Sequence, residues 1–187
     1  MKIVHFSSQR TGGAAIAAIR IHRALLAQGL DSSMRFLERA SPPEGTDSRS
    51  QKLGAIWRPA ADRAYLSVAA PRRKALFSAA WPPNAALRNA REAGVIHLHW
   101  IGNGFLDVGA LRGVRRPIVW TLHDMWPFTG GCYYDEGCGR FATGCGRCPI
   151  LNSGSEHDLS SRVFHRKETD WKDADITLVA PSRWMAE

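Results

Sequence analysis

Short apolar runs alternate with longer amphipathic stretches along this chain. Five of the runs are bounded by turn residues and rich in β-branched or aromatic residues, and they predict strands: KIVHF (2–6), SSMRFL (32–37), VIHLHW (95–100), PIVWTLHD (117–124) and DITLVA (175–180). Strands that alternate with helices build right-handed βαβ units, and near-continuous apolar strands suit buried parallel positions. The pattern therefore predicts an α/β fold with a parallel sheet covered by helices on both faces.

The first amphipathic stretch, AAIAAIRIHRALLAQG (14–29), predicts a helix that ends at Gly29. Its expected buried stripe consists of Ile16, Ile19, Leu25 and Leu26. A turn-rich segment at 40–51 then leads into a basic, helical stretch from Lys52 to Arg91 that prolines interrupt.

A second clear helix is predicted near the end of the chain, where Asp158 or Ser160 can cap it. Its stripe is formed by Leu159, Val163, Lys167 and Trp171. The last residues, PSRWMAE (181–187), begin another helix with Ser182 as the N-cap. Because an isolated helix this short is unstable, we expect the sequence to continue into a larger protein.

Composition places the chain among globular proteins. Of its 187 residues, 44% are hydrophobic and 22% are charged, as in an ordinary single domain. No apolar run approaches the roughly 20 residues of a membrane helix, and the N-terminal run is too short for a signal peptide. We therefore expect a cytoplasmic location, where thiols stay reduced.

Charge is distributed unevenly along the chain. The net charge is +8, and the segment from Ser41 to Arg116 holds 12 Lys and Arg against 5 Asp and Glu. Such a basic segment favours an anionic partner: nucleic acid, a phosphorylated ligand or an acidic membrane surface. For any single cluster, a solvated basic surface without a partner is the favoured interpretation.

A glycine turn, SQRTGGAA, follows the first predicted strand and precedes a helix. Parallel sheets place their ligand crevice at this position, and helix N-terminal N–H groups can face an anion there. Gly12 and Gly13 would let a ligand approach the backbone. The turn matches neither of the common nucleotide-binding glycine motifs, so a plain tight turn remains the alternative.

Histidines mark the ends of two predicted strands. His99 closes HLHW, and His123 and Asp124 close PIVWTLHD, so these three are candidates for the crevice. His5, His22 and His97 are instead expected to be structural.

All four cysteines lie between residues 131 and 149, with the spacing C-x5-C-x6-C-x2-C: Cys132, Cys138, Cys145 and Cys148. The closing C-x2-C pair can offer two thiolates from one tight turn, and four thiolates suit tetrahedral zinc. Structural zinc is the leading interpretation. Disulfides, free thiols and, less well matched by spacing, an iron–sulfur cluster are the alternatives.

Several motifs together resemble a known family. MKIVHFSSQRTGGAAIAA, VIHLHWIGNGFL, PIVWTLHDMWPFTGGCYY, GCGRCP and LVAPSRWMAE are similar, in this order, to the N-terminal domain of bacterial family 4 glycosyltransferases. The likeness is greatest to a subgroup that builds envelope or capsular polysaccharide and carries a cysteine loop. It spans residues 1–187 but is weakest from Ser41 to Arg91.

The resemblance implies one Rossmann-like half of a glycosyltransferase B-type fold. It implies a retaining transferase that moves a sugar from a nucleotide-sugar donor to a glycan or lipid-linked acceptor. Gly12 and Gly13 would lie near the donor diphosphate, and His123 would approach the transferred sugar, with His99 and Asp124 beside it.

The resemblance also implies that the C-terminal nucleotide-binding domain lies outside this sequence, so that residues 1–187 alone would be inactive. The basic segment, with Trp57 and Trp81, would sit on the acceptor side, where a lipid-linked acceptor at an anionic membrane surface explains its charge. The protein would then be cytoplasmic and peripheral on the inner face of the membrane. We expect no nucleic-acid partner.

Two other classes compete with this interpretation. A pI near 9.9 and a cysteine cluster are also typical of zinc-stabilised nucleic-acid-binding modules, although the cysteines do not match a finger spacing. A stand-alone α/β hydrolase or nucleotide-binding domain is the third class. The sequence contains neither the nucleophile motif of α/β hydrolases nor the phosphate-binding loop motif of nucleotide-binding domains.

Overall fold

The computed structural model describes residues 1–37, 54–79, 83 and 86–186. Within these residues, five strands form one parallel sheet in the order β2-β1-β3-β4-β5. The strands are β1 (Lys2–Ser7), β2 (Asp31–Phe36), β3 (Val95–Leu98), β4 (Ile118–Thr121) and β5 (Ile176–Val179). All five predicted strands are confirmed, each with slightly different ends.

Four α-helices accompany the sheet in the described part of the chain. They are α1 (Gly13–Ala27), α2 (Gly54–Ala69), α3 (Leu159–Trp171) and α4 (Arg183–Ala186). Short 3₁₀ helices span Val108–Leu111, Trp126–Phe128 and Arg140–Thr143. The predicted α/β class is thus confirmed as a Rossmann-like arrangement. The turn-rich segment at 40–51 and Trp81 lie outside the described residues.

The two faces of the sheet differ in chemistry. On one face, apolar side chains from the central strands join the main core: Val4, Phe6, Ile96, Leu98, Ile118 and Trp120. On the other face, α1 packs Ala18 and Ile19 against Met34 and Phe36. The same face carries His5 and its register partner His97. Because side chains alternate along a strand, His5 and His97 lie on the face opposite to Val4, Phe6, Ile96 and Leu98.

The predicted stripe of α1 is wrong in part. Ile19 is buried, but Ile16 is 48% exposed and Leu26 is 41% exposed. The residues that face the sheet are Ala15, Ala18, Ile19 and His22. Small side chains allow the helix to lie close to the sheet where the histidines already fill space, so the buried face is rotated from the most apolar one.

The predicted helix ends agree with the structure. Gly29 follows α1 with a φ of 75°, a left-handed conformation that glycine adopts without strain. Asp158 caps α3 by accepting the backbone N–H groups of Ser160 and Ser161. The Ser182 hydroxyl accepts the N–H of Met185 at 3.2 Å, as expected for the N-cap of α4.

Strand order places a crevice beside β1. The chain runs from β1 outward to β2, then crosses back to β3 on the opposite side of β1. Ligands of such sheets bind at the carboxyl ends of the strands where this reversal occurs. None of the helices in the described residues is both long and apolar enough to cross a membrane.

Candidate functional site

A cleft of about 440 Å³ opens at the carboxyl ends of β1 and β4. It is lined by Gln9, Gly13, Ala14, Leu76, Trp100, His123, Asp124, Tyr133 and Tyr134. Three of the predicted site residues, Gly13, His123 and Asp124, therefore share one cleft. The volume is in the range of small-molecule sites.

The glycine turn presents the N-terminus of α1 to this cleft. Gly12 is the N-cap, with a φ of 86° that disfavours any side chain. Nothing lies within 4 Å of where a Cβ of Gly13 would stand. The first turn of α1 holds no acidic side chain, so its N–H groups and helix dipole are open to an anion.

His123 and His99 occupy different depths. His123 is half-buried at the cleft wall, whereas His99 is 1% exposed and lies behind it. The Nδ1 atom of His99 is 3.2 Å from the Nε2 atom of His123. His99 thus reaches the cleft through His123 rather than lining it.

His5 extends this contact into the core. Its Nδ1 atom is 3.2 Å from the Nε2 atom of His99, and its side chain is fully buried. His97 lies beside the two rings but bonds elsewhere, with its Nε2 atom 2.9 Å from the Thr121 hydroxyl. The sequence predicts buried positions for His5 and His97 but not their contacts with the site.

Burial keeps these imidazoles neutral at pH 7. It lowers the pKa of His5 to about 3 and that of His97 to about 4, and neighbouring histidines add to both effects. The pKa of His99 is lowered further by burial and by three histidines around it. Burial also lowers the pKa of His123. Uncharged hydrogen-bonding groups therefore line the path from the core to the cleft.

The nitrogens of His5, His97 and His99 lie within 4.8 Å of one another, which is near the spacing of metal ligands. The rings of His97 and His99 are tilted by 31°, with their centroids 4.2 Å apart. The His97 Nε2 atom already contacts the Thr121 hydroxyl, and both nitrogens of His99 contact other histidines.

Asp124 is a nearly buried carboxyl group at the base of the cleft. Burial raises its pKa to about 6, while hydrogen bonds from the Trp126 backbone and the Trp100 side chain oppose the shift. The bond from the Trp126 N–H to Asp124 Oδ1 is 2.8 Å long. At pH 7 the group is mainly a carboxylate that can accept a hydrogen bond from a ligand hydroxyl.

The four cysteines line one small pocket in the loop between β4 and α3, together with Asp135 and Ser160. The pocket has a volume of about 10 Å³, enough for one water-sized body. None of the four forms a disulfide. This donor set matches what zinc takes in structural sites.

Backbone contacts shape this pocket. The Sγ atom of Cys145 accepts the Gly130 N–H at 3.2 Å, and the Cys148 N–H donates to Asp158 at 2.8 Å. Cys145 has a φ of 63° between two positive-φ glycines. Among the described residues the three-histidine group meets ligand spacing and the thiols do not, so the loop would have to contract around an ion.

Burial raises the pKa of the Cys132 thiol to about 11, and the other cysteines add to this effect. The pKa values of Cys145 and Cys148 are raised by burial as well. Without a cation these groups are therefore neutral thiols at pH 7.

Lys167 connects the cysteine loop to the cleft. It is buried in α3, and its ammonium donates to the carbonyl oxygens of Trp126 and, at 2.9 Å, of Thr129. The ammonium also lies 3.5 Å from the centre of the Trp126 ring. Burial lowers its pKa to about 7, while the charge of the Asp124 carboxylate acts in the opposite direction.

Six cleft residues are absent from the sequence-based prediction: Gln9, Ala14, Leu76, Trp100, Tyr133 and Tyr134. The sequence could have indicated the aromatic residues, because Trp100 follows a strand end and the two tyrosines follow Cys132 in the loop. A Cβ at Gly102 would overlap the Tyr133 hydroxyl, which shows how closely that ring packs on the strand end. Leu76 comes from a segment whose position depends on tertiary contacts alone.

Part of the chain is similar to a known protein. A protein of Escherichia coli (strain K12) described as a colanic acid biosynthesis glycosyl transferase, WcaC, is 38% identical to it over 77 residues. The alignment covers 34% of this chain and 18% of that protein, so the chain matches less than a fifth of the relative's length. No protein-family model matches the chain. The similarity supports a relationship to glycosyltransferases.

Proposed function

We propose that this chain is the acceptor-side half of a glycosyltransferase that uses a nucleotide-sugar donor in envelope or capsular polysaccharide synthesis. The observation that carries the proposal is the cleft in which the N-terminus of α1, His123 and Asp124 meet. The partial similarity to a polysaccharide-synthesis transferase supports the same activity. The resemblance of the ordered motifs to retaining family 4 enzymes, in the subgroup with a cysteine loop, gives the finer assignment.

Each cleft group has a distinct role in this proposal. The open N–H groups at Gly12 and Gly13 receive the donor diphosphate, for which the helix dipole supplies favourable charge. Neutral His123 donates a hydrogen bond to the transferred sugar, because burial disfavours its cationic form. The Asp124 carboxylate accepts a hydroxyl of the sugar or acceptor. A partner domain would close the cleft from the other side and hold the nucleotide.

The acceptor in this proposal is a glycan or a lipid-linked glycan. Trp100, Tyr133 and Tyr134 supply aromatic walls on which sugar rings pack. The basic segment from Ser41 to Arg116 favours a lipid-linked acceptor at an anionic membrane surface. Peripheral contact with the inner face of the membrane would follow from this arrangement.

His123→Ala in the full-length protein tests the site. We expect kcat for sugar transfer to fall on the order of 10²-fold or more, with the fold intact, because the lost contact acts mainly in the transition state. His157→Ala is the matched control, since His157 is exposed at the surface. Near-normal turnover with a lower melting temperature would make His123 a structural residue only. A full-length protein that transfers no sugar from any nucleotide-sugar would contradict the function itself.

We further propose that Cys132, Cys138, Cys145 and Cys148 hold one structural zinc ion. The four thiols share one ion-sized pocket, and four thiolates leave no open position for substrate. The ion would fix the part of the loop that holds the cysteines, whose first member, Cys132, lies eight residues after Asp124. Because burial raises the pKa of Cys132, Cys145 and Cys148, metal binding should release protons and strengthen as pH rises.

Elemental analysis of protein purified without chelator tests this site. We expect close to one equivalent of zinc, which Cys145→Ser should remove. Asp135→Asn is the matched control, because Asp135 also lines the pocket yet is not a proposed ligand. Less than about a tenth of an equivalent of zinc or iron, with four freely titratable thiols, would end the metal proposal.

A further inference from the structure

Three imidazoles form a hydrogen-bonded chain from the core to the cleft: His5, His99 and His123. Both N–N distances are 3.2 Å, and both pairs of ring centroids are 5.5 Å apart. An imidazole ring built on bonds of about 1.33 Å has a radius of about 1.1 Å, so two radii and the N–N distance nearly fill the centroid separation. The bonded nitrogens therefore lie on the line between the rings, with interplanar angles of 24° and 27°. The contacts are end-to-end hydrogen bonds.

Proton counting links the two bonds. A neutral imidazole has one N–H donor and one acceptor nitrogen. His99 uses both of its nitrogens in the chain, so it donates at one end and accepts at the other. If His5 donates to His99, then His99 must donate to His123. The proton position on His5 thus determines the proton position on His123, although no contact joins these two residues directly.

The buried end of the chain sets the direction. Among the described residues, the Nε2 atom of His5 has no hydrogen-bond partner and is closed to water. Orphaned N–H donors are the rarest kind of unsatisfied buried group, and each costs about 1–3 kcal/mol. His5 therefore carries its proton on Nδ1, where it has an acceptor, and leaves only a lone pair on Nε2.

We infer that this chain of imidazoles holds His123 as the neutral tautomer with its proton on Nδ1. Its Nε2 atom accepts from His99, which leaves an N–H group as the remaining polar function of a ring that lines the cleft. His5 and His99 are positioning residues that act through His123. Neighbouring groups do not supply an alternative proton: His97 bonds to Thr121, and the His22 Nδ1 atom is 2.7 Å from the Ser32 hydroxyl.

The consequence for catalysis rests on the proposed function. A fixed Nδ1–H can donate a hydrogen bond to an oxygen of the transferred sugar but cannot act as a base. A His123 with the opposite tautomer would offer a lone pair at the same place and repel that oxygen. Buried His5 would then influence sugar transfer from the far end of the chain.

Long-range ¹H–¹⁵N correlation spectra of ¹⁵N-histidine-labelled protein near pH 7 test the tautomer without any substrate. We expect protonated Nδ1 and unprotonated Nε2 signals for both His99 and His123. A protonated Nε2 on His123, or a charged His123, would overturn the inference.

Two variants test whether His5 sets this state. His5→Leu removes the N–H donor and places an apolar side chain of similar size in the core. In this variant we expect both nitrogen signals of His123 to shift toward a mixture of tautomers. His5→Asn places an amide N–H near the position of Nδ1, and we expect it to retain the native signals. If folded His5→Leu keeps the native His123 signals, the tautomer is set locally and the relay is wrong.

Activity separates this inference from the proposed function. In a full-length transferase, His5→Leu should lower kcat by at least about tenfold with little change in KM, and His5→Asn should restore most of it. If the spectra show the expected tautomers but the protein transfers no sugar, the proposed function fails while the relay stands. If sugar is transferred and His5→Leu leaves kcat unchanged, the catalytic consequence of the relay is wrong.

Discussion

Asp124 is the carboxyl group of the cleft, and its protonation changes close to neutral pH. Burial stabilises its neutral form, so the pKa is raised to about 6 and the carboxylate is lost a little below neutrality. His123, the preceding residue, shifts in the opposite direction, because burial lowers its pKa. Of these two cleft groups, the carboxyl group is the one whose pKa is raised toward neutrality.

This difference predicts the pH dependence of the proposed transferase. If the carboxylate is the active form, kcat/KM rises with pH through about 6 and is constant above it. Asp124→Asn should lower kcat/KM at neutral pH and remove this acid limb. Steady-state kinetics of the full-length protein between about pH 5 and 8 check the expectation. An acid limb near 6 that persists in Asp124→Asn would assign it to another group.

Part of the candidate site is predictable from the sequence, residue by residue. The strand ends identify His99, His123 and Asp124, because the residue that follows a buried strand is readable from the apolar run before it. The hydrogen bond between His5 and His99 cannot be predicted from the sequence. The two residues are 94 positions apart, and their contact depends on how the strands pair. Direction and depth of a side chain are properties of the assembled sheet.

The loop between β4 and α3 is the element that joins the cysteines to the cleft. Asp158 stands at its end: it caps α3 through the Ser160 and Ser161 N–H groups and also accepts the Cys148 N–H. Burial raises the pKa of Asp158, but these hydrogen bonds outweigh it and lower the pKa overall. One carboxylate thus fixes both the start of a helix and the position of a cysteine.

Asp158→Ala should lower the free energy of unfolding by about 2–5 kcal/mol. The lost cap contributes about 1–2 kcal/mol, and the buried Cys148 N–H left without an acceptor contributes about 1–3 kcal/mol. Asp158→Asn should cost less, because its amide oxygen can still cap α3. Urea denaturation near pH 7 measures both, with exposed Asp173→Ala as the control. A loss below about 0.5 kcal/mol for Asp158→Ala would show that the loop and helix hold together without this carboxylate.

The existence and length of helix α1 are predictable from the sequence, but the face that it buries is not. The helical period and the glycine stop predict the element and its length. The buried face does not follow from apolar content, because the partner surface already holds large imidazole rings and leaves room for alanine. Packing against a particular sheet, rather than hydrophobicity alone, sets the rotation of the helix.

At the scale of the whole molecule, the sheet separates an apolar face from one that carries buried histidines. Strand and helix alternation predicts a parallel sheet, but it does not give the order β2-β1-β3-β4-β5, which determines whose imidazoles meet. That order depends on which strands find each other in three dimensions.

Buried neutral histidines make the fold sensitive to acid. The pKa values of His5, His97 and His99 are lowered on folding, so below about 6.5 the unfolded chain binds up to three protons that the native protein does not. Their contribution to stability is complete above the unfolded pKa and is lost as pH falls toward about 4. Asp124 acts in the opposite direction, because its raised pKa lets the native protein bind one extra proton between about 4 and 6.

The net difference of about two protons predicts that the free energy of unfolding falls by roughly 2.7 kcal/mol per pH unit near pH 5. Urea denaturation at several pH values between about 7 and 4.5 gives this slope. His5→Leu should reduce it by about 1.4 kcal/mol per pH unit, since one titrating group is removed. A stability that does not change across this range would mean that the histidines gain protons in the folded state without loss of structure.

The central position of β1 has a consequence for how the protein is made. β1 is synthesised before both of its neighbours: β2 follows within 30 residues, but β3 begins only at Val95. At a synthesis rate of about 5–20 residues per second, the ribosome needs roughly 5–20 s to reach β3. During this interval Val4 and Phe6 have no partner strand on that side. The nascent chain therefore exposes an apolar strand edge to the cell until the middle of the protein emerges, and a chaperone that binds such edges would act on this segment first.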